Sequence, residues 1–187
     1  ITDGVIHCGE SGLCMRMFAP IAGLSRYRFF IEGSGSLCSR PMKMLETISN
    51  MGARCTTTGG YPPVIIRGPI RGGTVCIDGS ESSQFLTGLL MAAPLCKNDS
   101  RIDVTDLKSK PYVLMTIDLL KRFGIAVDHD KDLTSFSIKG NQHYKAQGFA
   151  IEGDWSGAAF LLVAGAVAGS VRVEGLQTDS FQADKVI

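Results

Sequence analysis

The chain has 187 residues, of which 44% are hydrophobic and 20% are charged, as in an ordinary globular protein. A net charge of +1 argues against a nucleic-acid-binding surface, and the longest apolar stretch, residues 158–168, is too short to cross a bilayer. Six cysteines without a C-x-x-C pair indicate thiols in a reducing compartment rather than zinc ligands. We therefore expect a cytoplasmic protein with no metal and no cofactor, and with neither nucleic acid nor a membrane as a partner.

The first unit of the chain follows the pattern β-α-β-α-β-β, judged by the spacing of its apolar residues. The predicted elements are a strand over residues 5–8, a helix over 12–22, a strand over 27–31, a helix over 42–51, and hairpin strands over 55–58 and 64–67. Pro41 suits the first turn of the second helix, where its missing N–H costs nothing, and Gly52 suits the C-terminal cap.

A second unit repeats this pattern. Its predicted elements are a strand over residues 74–77, a helix over 82–92, a strand over 101–105, a helix over 111–123, and hairpin strands over 125–128 and 135–138. Gly52 and Gly124 lie 72 residues apart at equivalent points of the two units, as do Gly68 and Gly140. Self-similarity at a long period indicates a repeat architecture.

A third unit begins but is not completed. It offers a strand over residues 150–151, a helix over 155–167 and a strand over 170–173, and it ends at Ile187, where a second helix is due. The polar stretch 141–148 is the linker candidate, so a domain boundary is predicted near residues 147–152. The sequence thus predicts an α/β fold with two complete units over residues 1–148 and a truncated third over 149–187. We interpret the chain as a piece of a larger protein.

Hydroxyl and amide side chains gather at the start of the predicted helix over residues 82–92. Ser82, Ser83 and Gln84 lie in its first turn, where backbone N–H groups lack intrahelical partners and the helix dipole is positive. A phosphate or carboxylate group placed there would meet backbone and hydroxyl donors together. The alternative is that one of the serines is simply an N-terminal cap, as in many helices.

Other helix starts carry related chemistry. Arg40, just before Pro41, stands where the helix dipole disfavours a cation, which indicates that an anion is expected nearby. Ser109 and Tyr112 belong to the equivalent start in the second unit, and Gly12 leaves room for a ligand to approach the backbone. The structural alternatives are helix caps for the serines and a surface charge for the arginine.

The order and spacing of these short sequences resemble those of the 5-enolpyruvylshikimate-3-phosphate synthases. The resemblance covers the whole chain and rests on Ser82-Ser83-Gln84-Phe85, Ser109-Lys110-Pro111-Tyr112, Glu152-Gly153-Asp154, Arg40-Pro41 and Tyr61-Pro62-Pro63. It implies a two-lobed fold with three β-α-β-α-β-β units in each lobe. This chain would hold two units of one lobe, without the first unit, and the beginning of the other lobe.

The resemblance also implies an activity and a set of site residues. The family joins the enolpyruvyl group of phosphoenolpyruvate to the 5-hydroxyl of shikimate 3-phosphate and releases phosphate, as a step of aromatic amino acid biosynthesis. The residues expected to bind shikimate 3-phosphate are Ser82, Ser83, Gln84, Ser109 and Tyr112, and those expected to bind phosphoenolpyruvate are Gly12, Arg40 and Gln84. No residue of this chain is assigned a proton transfer, so we expect the chain alone to be inactive and the full-length enzyme to be a monomer.

One departure and two alternatives accompany this interpretation. The string Glu10-Ser11-Gly12-Leu13 stands where the family usually has Asn-Ala-Gly-Thr, beside the expected phosphoenolpyruvate site. One alternative is a UDP-N-acetylglucosamine enolpyruvyl transferase, which shares the fold but is disfavoured by the Ser-Ser-Gln and Ser-Lys-Pro-Tyr strings. The other is a non-catalytic anion-binding repeat protein.

Overall fold

Two four-stranded sheets of the same topology form the frame of the protein. The computed structural model describes residues 3–80 and 83–186. The strands of the first sheet are β1 (Gly4–His7), β2 (Arg28–Glu32), β3 (Arg54–Thr58) and β4 (Tyr61–Arg67), and those of the second are β5 (Gly73–Asp78), β6 (Ser100–Thr105), β7 (Asp128–His129) and β8 (Ser135–Ile138). Their orders are β1-β2-β4-β3 and β5-β6-β8-β7. Each sheet combines one parallel pair with two antiparallel pairs, as expected when a β-α-β crossover is followed by a hairpin.

The described residues also form α-helices and short 3₁₀-helices. The α-helices are α1 (Gly12–Ala22), α2 (Ser83–Ala92), α3 (Lys110–Arg122) and α4 (Trp155–Ala168), and the 3₁₀-helices span Gly35–Ser39, Lys43–Met51, Ala93–Leu95 and Ala183–Val186. Helix α1 connects β1 to β2 and α2 connects β5 to β6, so each is the crossover between two parallel strands. The predicted α/β fold is confirmed, whereas the division into repeat units and lobes stays a prediction.

One continuous core joins the two sheets. Completely buried side chains from both units meet in it, among them Met15, Ile31, Ile66, Leu89 and Phe136. Burial of a large apolar side chain stabilises a fold by about 1.5–3 kcal/mol. Because both sheets and both crossover helices contribute to the same core, the two units fold against each other and hold a fixed relative position.

The helix predicted over residues 42–51 is a 3₁₀-helix, Lys43–Met51, rather than an α-helix. Its buried side chains are Leu45, Ile48 and Met51, preceded by the buried Met42, and they recur every three residues. A 3₁₀-helix has three residues per turn, so this spacing keeps all four on one face. The prediction was right about a buried face and wrong about the helix type.

Three predicted strands differ from the structure. The strand expected over residues 125–128 is reduced to Asp128–His129, because the backbone N–H and carbonyl of Ala126 bond to the Gln142 side chain at 2.8 and 3.0 Å instead. Residues 150–151 and 170–173 form no strand, although Gly153 N donates to Gly175 O nearby at 2.9 Å. Strand geometry needs a ladder of such bonds. The predicted third-unit helix is confirmed as α4.

The stretch between β8 and α4 contains no helix or strand and lies against the second unit. Tyr144 Oη donates to Met91 O at 2.7 Å, and the rings of Phe123 and Phe149 have centroids 6.0 Å apart. The domain boundary predicted near residues 147–152 stays a prediction. No helix among the described residues combines the length and hydrophobicity needed to span a membrane.

Candidate anion-binding site

A pocket of about 220 Å³ opens between α1, the start of α2 and the loop before α3. Its lining residues are Arg16, Gly79, Ser80, Ser83, Gln84, Lys108 and Ser109. Among the residues that the structure describes, this lining combines two cations, Arg16 and Lys108, with hydroxyl and amide groups. Such a set of donors can surround an anion from several directions.

The wall between α1 and α2 depends on a close approach of the two helices. A Cβ built on Gly88 would lie 2.7 Å from Met17 O and 3.0 Å from Arg16 O, so only a glycine allows this separation. The approach brings Arg16 of α1 to Gln84 of α2, where Arg16 Nη1 donates to Gln84 Oε1 at 3.2 Å. Arg16 Nη2 also reaches Pro41 O at 3.4 Å. One side chain therefore connects both units to the segment that carries Arg40.

The turn between β5 and α2 is held against the end of β6. Gly79 N donates to Thr105 O at 2.7 Å, and a Cβ on Gly79 would lie 2.8 Å from the Cα atom of Leu107. Asp78 Oδ1 accepts a bond from Ser80 N at 2.8 Å. Hydrogen bonds from Ser80 lower the pKa of Asp78, with a smaller lowering from the charge of Lys108. The turn thus places the start of α2 beside the loop that carries Ser109.

Two serines at helix starts have different structural roles. Ser11 is a true cap of α1, because its hydroxyl accepts a bond from Cys14 N at 3.1 Å. Ser109 precedes α3, but within the described residues its side chain makes no capping hydrogen bond, and it is half-buried in the pocket. The cap interpretation therefore describes Ser11, whereas Ser109 lines the pocket. Nearby, Lys108 Nζ pairs with Asp106 Oδ1 at 2.6 Å.

Two guanidinium groups converge at the start of α1. A Cβ built on Gly12 would lie 3.2 Å from Arg16 Nη1 and 3.3 Å from Arg40 Nη1. Arg40 Nη2 also donates to Ser36 Oγ at 3.3 Å, and Glu10 Oε2 accepts from Ser36 N at 2.9 Å. The bonds from Ser36 lower the pKa of Glu10, and the charge of Arg40 adds to the lowering. Two cations at one point favour a bound anion there, since like charges repel at short range.

The structure brings together most of the residues predicted from the sequence. Gly12, Arg40, Ser83, Gln84 and Ser109 lie in the pocket or beside Arg16 at its edge. Tyr112 is half-buried on α3 and does not line the pocket, and Ser82 lies outside the described residues. Their contacts with substrates stay predictions. Among residues 3–80 and 83–186, no group of three or more His, Cys, Asp or Glu side chains is arranged to hold a metal ion.

Sequence reasoning did not assign Arg16 to the site. The signal was present, because Arg16 is the one charged residue in the sequence of α1, GLCMRMFAPIA. A lone cation on an otherwise apolar helix is costly to bury unless it meets a partner or a ligand. Its partner Gln84 is 68 residues away, so only the packing of the two units reveals the pair.

A second, larger pocket of about 330 Å³ lies on the exposed face of the second sheet. Its cations are already paired, Arg101 with Asp103 at 3.0 Å and Lys139 with Asp99 at 2.7 Å. Because the charges are balanced within the protein, this pocket offers an anion little net attraction. In the smaller pocket Lys108 is likewise paired, with Asp106. That pocket is still the better candidate, because it lies at the start of α2, where backbone N–H groups lack intrahelical partners.

Comparison with known sequences shows which proteins this chain is similar to. The chain matches the family model described as EPSP synthase (3-phosphoshikimate 1-carboxyvinyltransferase) over residues 2–187. It is 44% identical over 185 residues to a 3-phosphoshikimate 1-carboxyvinyltransferase of Methanocorpusculum labreanum, covering 98% of this chain and 43% of that protein. A relative of the same name from Clostridium kluyveri is 41% identical over 184 residues, covering 97% of this chain and 43% of that protein. The chain thus spans about 43% of the length of these curated relatives.

Solved structures give the same result. An EPSP synthase from Acinetobacter baumannii superposes with a TM-score of 0.70 at 26% identity, covering 88% of this chain and 37% of the other. A second structure from that organism gives a TM-score of 0.68 at 26% identity, covering 87% and 36%. The chain belongs to the EPSP synthase family.

Proposed function

We propose that this member of the EPSP synthase family supplies the anion-binding part of an enzyme that transfers the enolpyruvyl group of phosphoenolpyruvate to the 5-hydroxyl of shikimate 3-phosphate and releases phosphate. The observation that carries the proposal is the pocket in which Arg16, Ser83, Gln84 and Ser109 meet. Both substrates are polyanions, and the described lining of this pocket offers hydroxyl, amide and cationic donors to them.

Shikimate 3-phosphate fits the part of the pocket at the start of α2. Ser83 stands in the first turn of that helix, where N–H groups and the positive dipole end favour a phosphate. The Ser109 hydroxyl supplies a donor that is not engaged in capping α3. By family resemblance, Ser82 and Tyr112 complete this half of the site.

Phosphoenolpyruvate fits the start of α1. Gly12 presents no side chain, so a ligand can approach the backbone where the guanidinium groups of Arg16 and Arg40 converge. The planar fork of an arginine suits carboxylate and phosphate groups. Gln84, which accepts a bond from Arg16, would then lie between the two substrates.

The roles proposed for Arg16, Ser83, Gln84 and Ser109 are to orient the substrates and not to move protons. The transfer needs a proton delivered to the methylene carbon of phosphoenolpyruvate and a proton removed from the attacking hydroxyl. Arginine stays protonated and serine and glutamine do not titrate near neutral pH, so none of these side chains suits either task. Their contribution is to hold two anions side by side, which converts a bimolecular encounter into a reaction between neighbours.

The test is a titration of the full-length protein with shikimate 3-phosphate and, separately, with UDP-N-acetylglucosamine, followed by an assay of phosphate release. We expect binding of shikimate 3-phosphate and phosphate release that depends on both substrates. Binding of UDP-N-acetylglucosamine instead would favour the other enolpyruvyl transferase. Anion binding without phosphate release under any substrate pair would favour a non-catalytic binding protein.

A further inference from the structure

We propose that Glu10 is a positioning residue for Arg40, acting through Ser36. The inference rests on the proposed function for the identity of the anion that Arg40 holds. The structure assigns Glu10 the task of fixing the 3₁₀-helix Gly35–Ser39, so that the guanidinium group of Arg40 stays over the start of α1.

A chain of two hydrogen bonds connects the carboxylate to the guanidinium group. Glu10 Oε2 accepts a bond from Ser36 N at 2.9 Å, and Ser36 Oγ accepts a bond from Arg40 Nη2 at 3.3 Å. Arginine carries five N–H donors, so the bond to Ser36 uses one of them. The described ion pairs do not include Glu10 with Arg40, which means that Glu10 orients Arg40 without neutralising it by direct contact.

The backbone at Gly35 is shaped to receive the Glu10 carboxylate. Gly35 has a φ of +52°, which favours glycine, and a Cβ built on it would lie 2.5 Å from Glu10 Oε2. The carboxylate thus occupies the space that any other side chain at position 35 would take. Leu37, which is completely buried, and the bond from Ser34 N to Gly9 O at 2.7 Å anchor the same segment.

The result is a fixed approach of Arg40 to Gly12. Without Glu10, the turn that begins at Gly35 would lose its side-chain contact with the loop before α1, and the exposed Arg40 would sample more rotamers. A long arginine side chain loses rotamer entropy when it is fixed, so prior fixation lowers the cost of binding an anion. Glu10 therefore acts on phosphoenolpyruvate, which Arg40 holds, and not on shikimate 3-phosphate.

The experiment compares Glu10→Ala, Glu10→Gln and Ser36→Ala in the full-length enzyme, with KM measured separately for each substrate. Glu10→Ala should raise the KM for phosphoenolpyruvate about tenfold, as for loss of one hydrogen bond to a charged group. Glu10→Gln keeps an acceptor oxygen and should restore most of the loss. Ser36→Ala keeps the N–H that Glu10 binds but removes the acceptor for Arg40, so it should also raise this KM. The KM for shikimate 3-phosphate should change by less than about twofold in each variant.

Glu46→Ala is the matched control, because Glu46 Oε1 accepts a bond from Thr57 N at 3.0 Å in the same unit but away from Arg40. It should lower the melting temperature and leave both KM values unchanged. Arg40→Ala is measured alongside: if it leaves phosphoenolpyruvate use unchanged, the site assignment fails. If Arg40→Ala weakens phosphoenolpyruvate use while Glu10→Ala and Ser36→Ala do not, the positioning role alone is overturned. Equal losses for both substrates would also overturn it.

Discussion

The contact between α1 and α2 can be tested by adding one methyl group, in the variant Gly88→Ala. The new Cβ would lie 2.7 Å from Met17 O, 2.9 Å from Met17 Cα and 3.0 Å from Arg16 O. Carbon atoms in favourable contact are about 3.5–4.0 Å apart. The atoms that it meets belong to the backbone and cannot rotate away, so the helices have to move apart by roughly half an ångström or more.

Two effects oppose each other in the stability of this variant. Alanine is favoured over glycine in a helix interior by about 1 kcal/mol. Overpacking of a tight interior costs about 1–3 kcal/mol, and several backbone contacts at once place this site in the upper part of that range. We therefore expect the free energy of unfolding to fall by about 1–2 kcal/mol. The matched control is Gly157→Ala in α4, whose Cβ would approach only side-chain atoms of Asp154 among those described, Oδ2 at 3.0 Å and Cγ at 3.7 Å.

Urea unfolding and calorimetric titration with phosphoenolpyruvate measure the two consequences in the full-length protein. Gly88→Ala should lose both stability and affinity, because separation of the helices also stretches the bond between Arg16 and Gln84. Gly157→Ala should lose neither. If Gly88→Ala were as stable as the unaltered protein, the claim that backbone contact sets the helix separation would be refuted.

Three further outcomes are expected. Arg40→Ala should weaken the use of phosphoenolpyruvate about ten- to a hundredfold, as for loss of about 1.5–3 kcal/mol in a charge-assisted contact. It should hardly change the binding of shikimate 3-phosphate. Equal losses of affinity for the two substrates would mean that Arg40 has a structural role. Ser109→Ala should lower the affinity for shikimate 3-phosphate in a titration without lowering the melting temperature, whereas Ser11→Ala should cost about 1 kcal/mol of stability, because Ser11 caps a helix. The free energy of unfolding should fall as the pH drops below about 4. Carboxylates with a lowered pKa, such as Asp78 and Asp99, stabilise the fold at pH values above their ordinary pKa. They lose that contribution as the pH falls through the lowered pKa. Unchanged urea midpoints across that range would contradict it.

Element order could be predicted from the sequence because apolar periodicity is a local property. The bounds predicted for the first helix, residues 12–22, match α1 (Gly12–Ala22), and the hairpin strands of the first unit were found within a few residues. The prediction was wrong where the secondary structure of a segment depends on residues that are distant in the sequence. The composition of residues 125–127 predicts a strand. In the structure, however, the Gln142 side chain bonds to the backbone N–H and carbonyl of Ala126, which are therefore not available for hydrogen bonds to another strand.

The candidate site also has features that depend on adjacent residues and features that depend on distant ones. The positions of Ser83, Gln84 and Ser109 at helix starts could be predicted, because they depend on a few adjacent residues. Arg16 could not be placed, because its partner lies 68 residues along the chain. The link from Glu10 to Ser36 spans 26 residues and depends on a backbone conformation at Gly35 that no periodicity encodes.

The way in which the two units pack explains why one site arises from two similar halves. Each crossover helix begins just after the first strand of its sheet, so its start lies at the carboxyl end of that strand. Gly88 meets Arg16 and Met17 within the first two turns of both α1 and α2, so the helices cross near their starts. The two positive helix ends therefore lie side by side, one at Gly12 and the other at Ser83, with Arg16 and Gln84 between them. A single unit offers one such end, and the glycine contact between the units places two of them side by side. In the proposed transfer, each end would hold one of the two anionic substrates.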